Sequence, residues 1–170
     1  MAKNTFYIRA SVNGGNNSAF AETEIDLGSS TNLGSSKPEV LRIHRGHIQV
    51  SASDGTMPLV TGDTQADALW QLCTQSQTAF VLGTDDSYIS GGRAALRNPD
   101  STNHAPTQSW ESQLLPQDYS EGYVVAVPNL FLGGMGGSNF TEDVYFTIIL
   151  ECTTEPMTKA NAVALAISQQ

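Results

Sequence analysis

The chain has 170 residues, enough for one domain with a sizeable hydrophobic core. Charged residues are only 15% of the total, and most of the polarity comes from Ser, Thr, Asn, Gln and Gly, which favours an all-β protein rich in turns. The formal charge is −9, with 8 basic and 17 acidic residues and no run of Lys or Arg, so the sequence argues against direct nucleic-acid binding. It shows neither a secretory signal pattern nor an apolar run approaching the ~20 residues of a membrane helix, and we expect synthesis in the cytoplasm.

The first 27 residues predict two strands. Apolar and polar residues alternate over 6–12, an Asn/Gly-rich turn follows at 13–17, and alternation resumes over 21–27. We therefore expect these two strands to form a hairpin. The second strand carries an acidic face, which would keep an edge strand soluble or meet basic residues of a neighbouring copy; its members are Glu22, Glu24 and Asp26.

The stretch 39–52 predicts a strand with an irregularity in it. Leu41 and Ile43 stand at odd positions, whereas Ile48 and Val50 stand at even positions. One extra residue, a β-bulge near Arg45–Gly46, would restore a single buried face. Both histidines of the stretch, His44 and His47, would then lie on the outer face.

The middle of the chain predicts shorter elements. Residues 64–78 suggest a strand, with a short helix from Asp67 as the alternative. A short apolar run at 79–82 and short strands at 87–89 and 93–96 follow. Residues 98–122 form a long polar excursion, the kind of loop that carries contacts or covers a surface.

The last third predicts two strands and a helix. A buried strand at 123–127 continues through 130–132 after Pro128, and a glycine-rich stretch at 133–138 reads as a flexible turn. Residues 144–152 are the strongest strand of the chain. Thr158 is placed to cap a helix over Lys159–Ser168, whose apolar stripe is Ala160, Val163, Ala164 and Ile167.

These elements amount to about eight strands at spacings typical of an all-β sandwich or barrel, in a single domain spanning 1–170. Two cysteines, Cys73 and Cys152, lie in apolar strands, where we expect buried thiols rather than a disulfide.

No catalytic or metal-binding constellation emerges from the residues. His44 and His47 lack a third ligand nearby, three carboxylates on one strand cannot wrap an ion, and neither cysteine has an adjacent His. The chain has no Gly-x-Ser-x-Gly elbow, and its glycine-rich stretch lacks the Lys of a phosphate-binding loop. We expect no enzyme activity, no metal and no cofactor.

The chain resembles the small single-jelly-roll coat proteins of sphaerolipovirus-like viruses, which are icosahedral, membrane-containing double-stranded DNA viruses. The resemblance is carried by 40–52, by 69–86 and by the final strand and apolar helix at 144–152 and 158–168. It implies an all-β jelly-roll sandwich of two four-stranded sheets with a short C-terminal helix. It further implies a capsid protein that self-assembles in the virion, with a second coat protein, penton or spike proteins and an internal viral membrane as neighbours, and it implies no catalytic residue.

The expected functional residues are contacts between subunits, in which Arg42 or Arg45 would pair with a neighbour's carboxylates. The full set is Glu22, Glu24, Asp26, Arg42, His44, Arg45, His47, Trp110 and Tyr119. Two alternatives remain open. One is a carbohydrate- or receptor-binding sandwich whose aromatic residues stack on sugars, namely Trp70, Tyr88, Trp110, Tyr119 and Tyr123. The other is a cupin-like metalloenzyme, although the stretch 40–52 lacks the His-x-His pair of that family.

Overall fold

The computed structural model describes residues 5–105 and 107–170, with the backbone only at residues 29 and 108–112. Its strands are β1 (Phe6–Asn13), β2 (Ala21–Asp26), β3 (Glu39–Ser51), β4 (Thr64–Cys73), β5 (Tyr88–Asn98), β6 (Thr107–Leu114), β7 (Tyr123–Val125), β8 (Asn129–Gly136) and β9 (Tyr145–Pro156). One α-helix, α1 (Lys159–Ser168), follows β9, and short 3-10 turns occupy Gly28–Ser30 and Pro116–Asp118.

The strands form two antiparallel sheets packed face to face. The four-stranded sheet has the order β1-β9-β3-β7, and the five-stranded sheet has the order β2-β8-β4-β5-β6. Their inner faces enclose a continuous core that includes Trp70, Phe146 and Leu150. The predicted single jelly-roll sandwich with a short C-terminal helix is thus confirmed. β6 arises within the polar excursion, where no strand was expected.

The predicted hairpin of the first two strands is wrong. β1 pairs with β9 and β2 pairs with β8, so the turn between them carries the chain from one sheet to the other. Alternation of apolar and polar residues indicates that a strand has one buried face, but it does not indicate which strand pairs with it.

The glycine-rich stretch at 133–138 is not a flexible turn, because Gly133 to Gly136 belong to β8. A Cβ at Gly134 would lie 2.6 Å from Phe146 Cδ2, and a Cβ at Gly133 would lie 2.6 Å from Phe20 Cε2. The two glycines point to opposite faces of the strand, so each face accepts an aromatic ring against bare backbone.

The strand expected within 64–78 is confirmed as β4, so the helical alternative is removed. Two smaller predictions change. The two short strands expected around Gly91 are one continuous strand, β5. Residues 130–132 do not continue β7, because the chain changes sheet near Pro128 and enters β8.

Helix α1 has the predicted bounds and cap, with Asn161 N donating to Thr158 Oγ1 at 3.4 Å. The helix packs on the sandwich through residues other than its apolar stripe. Ala162 is buried with Val40 and Ala126 on the outer side of the four-stranded sheet, and Leu165 packs against this cluster. Ala160, Val163, Ala164 and Ile167 face solvent instead.

Both cysteines are free and buried, as expected. Burial raises the pKa of each thiol to about 12. Within the described ranges, no helix is both long and apolar enough to span a bilayer.

Candidate interaction site at the β3 bulge

The predicted irregularity in β3 is present. The register with β9 runs from Ile43 opposite Cys152 to Arg45 opposite Glu151, so His44 is the extra residue. Gly46 then turns toward Leu150 in the core, while His44 and His47 lie on the outer face. The sequence placed the bulge within one or two residues of its position.

Arg42 is bound within its own chain. Its Nε and Nη2 donate to the two carboxylate oxygens of Glu155 at 2.9 and 2.6 Å, and Nη1 donates to the Glu121 carbonyl at 2.6 Å. This pairing raises the pKa of the guanidinium, chiefly through the Glu155 hydrogen bond. The carboxylate expected from a neighbouring subunit is therefore supplied to Arg42 by the same chain.

Arg45 and the histidines remain accessible. Arg45 is exposed and has no hydrogen-bond or ion-pair partner among the residues that the structure describes. His44 Nε2 lies 2.8 Å from the Thr153 hydroxyl and is half-buried, whereas His47 is exposed. Arg45 is thus the cation of this strand that a second molecule could bind.

The turn that follows β6 completes the site, because it docks on the bulge. Gly46 N donates to Gln117 Oε1 at 2.8 Å, and Gln117 Nε2 donates to the Gly46 carbonyl at 3.1 Å. The Tyr119 hydroxyl donates to the Ile89 carbonyl at 2.9 Å, and its ring packs edge-on against Tyr123 with centroids 5.4 Å apart. Burial also raises the pKa of Tyr119.

These elements enclose a polar groove of about 550 Å³. Its lining is mixed in charge and consists of Arg42, His44, Arg45, Gln117, Tyr119, Ser120, Glu121, Gly122, Glu151 and Glu155. Four residues predicted from separate parts of the sequence are therefore brought together, and His47 lines the neighbouring depression with Gln117. Sequence reasoning missed Gln117 and the three glutamates, because their approach to β3 depends on long-range docking.

The acidic strand lies elsewhere. β2 is an edge of the five-stranded sheet, with Glu24 and Asp26 exposed. Glu22 is half-buried and binds the segment after β4, accepting from Ser76 Oγ at 2.6 Å and from Gln77 N at 2.8 Å. Glu22 is therefore a structural anchor, a role that no local pattern signals.

The remaining predictions concern two tryptophans and a metal site. Trp110 lies on β6, but its side chain is outside the described residues. Trp70, proposed as a sugar-stacking residue, is only 2% exposed and belongs to the core. Among the described residues, no group of three or more His, Cys, Asp or Glu side chains is placed to hold a metal ion.

The fold is that of jelly-roll viral capsid proteins. VP1 of Trichodysplasia spinulosa-associated polyomavirus, solved in complex with GM1 oligosaccharide, matches 90% of this chain and 96% of its own at 8% identity, with a TM-score of 0.54. VP1 of Human Polyomavirus 12, solved with 3'-sialyllactosamine, matches 91% of this chain and 100% of its own at 8% identity and a TM-score of 0.49. No family model and no curated protein matches the sequence.

Proposed function

We propose that this protein is a structural capsid protein, copies of which assemble into the shell of a virus particle. The observation that carries the proposal is the jelly-roll match to a polyomavirus VP1 over 90% of this chain and 96% of that one. The proposal treats 1–170 as one jelly-roll domain and assigns no catalytic residue and no cofactor.

The contacts between copies would use the polar groove and the acidic edge strand. Arg45 is an exposed, unpaired cation in the groove, and Glu24 and Asp26 are exposed carboxylates on β2. The sequence has no Lys or Arg within 20–30 or 127–136, so the edge strand and its neighbour supply no cation of their own. Opposite charges on different sheets favour a head-to-tail contact, which closes into rings or extends into a lattice.

Assembly is tested on the purified protein by light scattering and electron microscopy across a concentration series. We expect rings or closed particles, and we expect Arg45→Glu to weaken assembly by roughly tenfold. Arg97→Glu is the matched control, since Arg97 is also an exposed strand arginine but lies on the other sheet. Glu24→Lys and Asp26→Lys, introduced together into the Arg45→Glu variant, should restore its assembly. A protein that stays monomeric at every concentration would contradict the proposal.

A narrower form of the proposal places the protein in sphaerolipovirus-like virions, beside a second coat protein, penton or spike proteins and an internal membrane. Its support is the sequence resemblance, together with an acidic surface that suits a shell separated from the genome. Lipid and protein analysis of purified particles tests it, since lipid-free particles with one coat protein would refute this form and leave the capsid role intact.

Receptor binding is the second candidate function. A matched VP1 was solved with a GM1 oligosaccharide, and the groove at the β3 bulge offers His44, Arg45 and Gln117 as polar groups for a sugar. A glycan array on the assembled protein tests this, with His44→Ala and Gln117→Ala as site variants. Binding that both variants abolish would support the function, and an array without hits would remove it.

A further inference from the structure

The two most exposed large apolar side chains among the described residues lie outside the sheets, one in the segment after β4 and one in α1. Leu82 is 78% exposed and Ile167 is 65% exposed. Each belongs to a larger apolar feature that the described part of the chain leaves uncovered, one convex and one concave.

The convex feature is the outer stripe of α1. The helix is firmly docked, because Gln169 at its end is buried and its amide binds Val124 O at 2.6 Å and Ala126 N at 2.9 Å. The stripe on the opposite side has the i, i+3, i+4, i+7 spacing of a contact face and consists of Ala160, Val163, Ala164 and Ile167. A rigid helix that exposes this stripe presents a preformed surface to a partner.

The concave feature lies on the outer side of the five-stranded sheet, beside the segment 74–87, which we term the strap. The strap is held by the buried Gln71, whose Oε1 accepts from Val81 N at 2.9 Å and whose Nε2 donates to Ala79 O at 3.2 Å. Phe80 of the strap packs edge-on against Phe20 with ring centroids 5.1 Å apart. The strap is therefore fixed at its centre, with Leu82 projecting beyond it.

Between the strap and β5 runs a groove of about 370 Å³. Its walls are largely apolar and include Leu69, Val81, Leu82 and Tyr88. Backbone at Gly91 forms part of the floor, where a Cβ would lie 2.9 Å from the Trp70 carbonyl. We term this depression the strap groove.

The strap and α1 carry side-chain charges of opposite sign. Residues 156–170 contain no Asp or Glu, and Lys159 is their only charged side chain. Residues 68–92 contain Asp85 and Asp86 and no Lys or Arg. Among the described residues, Arg93 is the only charged side chain that lines the groove itself. The carbonyl end of a helix favours a nearby cation.

We propose that α1 of one copy seats its exposed stripe in the strap groove of the next copy. The contact must join two molecules, because α1 is docked on its own chain with the stripe facing solvent, and no described residue of α1 lines the strap groove. It is a head-to-tail contact, and it rests on the self-assembly proposed above.

Single-cysteine crosslinking tests the pairing. Ile167→Cys and Leu82→Cys are purified separately, mixed, allowed to assemble and treated with a short bismaleimide. The native cysteines are buried with raised pKa values, so they should not compete. We expect a covalent dimer in the mixture and little in either variant alone. Met57→Cys, 44% exposed in a loop at 52–63, replaces Leu82→Cys as the control and should give none.

Each of the other outcomes either supports or refutes the proposed contact between α1 and the strap groove. Efficient crosslinking of Ile167→Cys with itself would show a helix-to-helix contact and overturn the proposal. Ile167→Glu should weaken assembly roughly tenfold or more, whereas Met57→Glu should not. If the wild type assembles and neither Ile167→Glu nor Leu82→Glu affects it, this contact is refuted and the capsid role stands. If the wild type never assembles, both proposals fail.

Discussion

Replacing Gln169 by Ala should destabilise the protein far more than its position near the end of the chain suggests. β7 is an edge strand of the four-stranded sheet, and the Gln169 amide binds the carbonyl of Val124 in β7 and the N–H of Ala126, which directly follows it. The side chain thus fills the place of a missing neighbouring strand. The Gln169 carbonyl also accepts from Thr74 Oγ1 at 2.6 Å, which ties the helix end to the segment after β4.

The magnitude follows from the two backbone groups that Gln169→Ala would leave without a partner. The fully buried N–H of Ala126 should cost about 1–3 kcal/mol, and the partly buried carbonyl of Val124 about 1 kcal/mol, because water reaches it more easily. The sum is about 2–4 kcal/mol, a large share of the ~5–15 kcal/mol that stabilises a typical domain. For a chain of this size it corresponds to a lower Tm by roughly 5–15 °C.

Urea unfolding followed by far-UV circular dichroism, at one fixed protein concentration, measures this change. Gln170→Ala is the control, because Gln170 is exposed, and its free energy of unfolding should stay within ~0.5 kcal/mol of the wild type. Gln169→Glu should lower the free energy of unfolding about as much as Gln169→Ala at neutral pH, because a carboxylate cannot donate a hydrogen bond to the Val124 carbonyl. A loss below ~0.5 kcal/mol for Gln169→Ala would refute the edge-capping argument.

Three further outcomes follow from the structure. Gly134→Ala should unfold or aggregate the protein, or lower its free energy of unfolding by about 3 kcal/mol, because the new methyl group meets the Phe146 ring; wild-type solubility and urea midpoint would contradict this. Replacing His44 and His47 together by Gln should leave the urea midpoint within ~0.5 kcal/mol of wild type and at most weaken assembly in light scattering, since both side chains lie on the outer face; a misfolded double variant would show a core role instead. Both native thiols should resist a thiol-specific dye at pH 8 in the folded protein and react on unfolding in urea, and rapid labelling without denaturant would show that the strands bearing them open readily.

The candidate site was partly readable from the sequence. The change in apolar phase within β3 revealed the bulge and the outward direction of His44 and His47, because burial of one face imposes a two-residue period. The sequence did not show which other residues line the groove with them. Gln117 reaches Gly46 across 71 residues of sequence, and no local pattern records that contact.

The errors share one cause. Alternation in β1 and β2 was real, but each strand pairs with a partner more than a hundred residues away. The glycines of β8 looked like a turn because their aromatic neighbours, Phe20 and Phe146, come from other parts of the chain.

The sequence by itself determined the all-β class, the positions of β3 and β9, the bulge and the bounds and cap of α1. Each depends on residues within about one turn or one strand, where backbone geometry ties side-chain direction to position. Only the tertiary structure decided the sheet order, the closure of the β7 edge by Gln169, the pairing of Arg42 with Glu155 and the outward face of α1. These depend on which distant segments bury surface together, and that choice is settled by packing the whole chain at once.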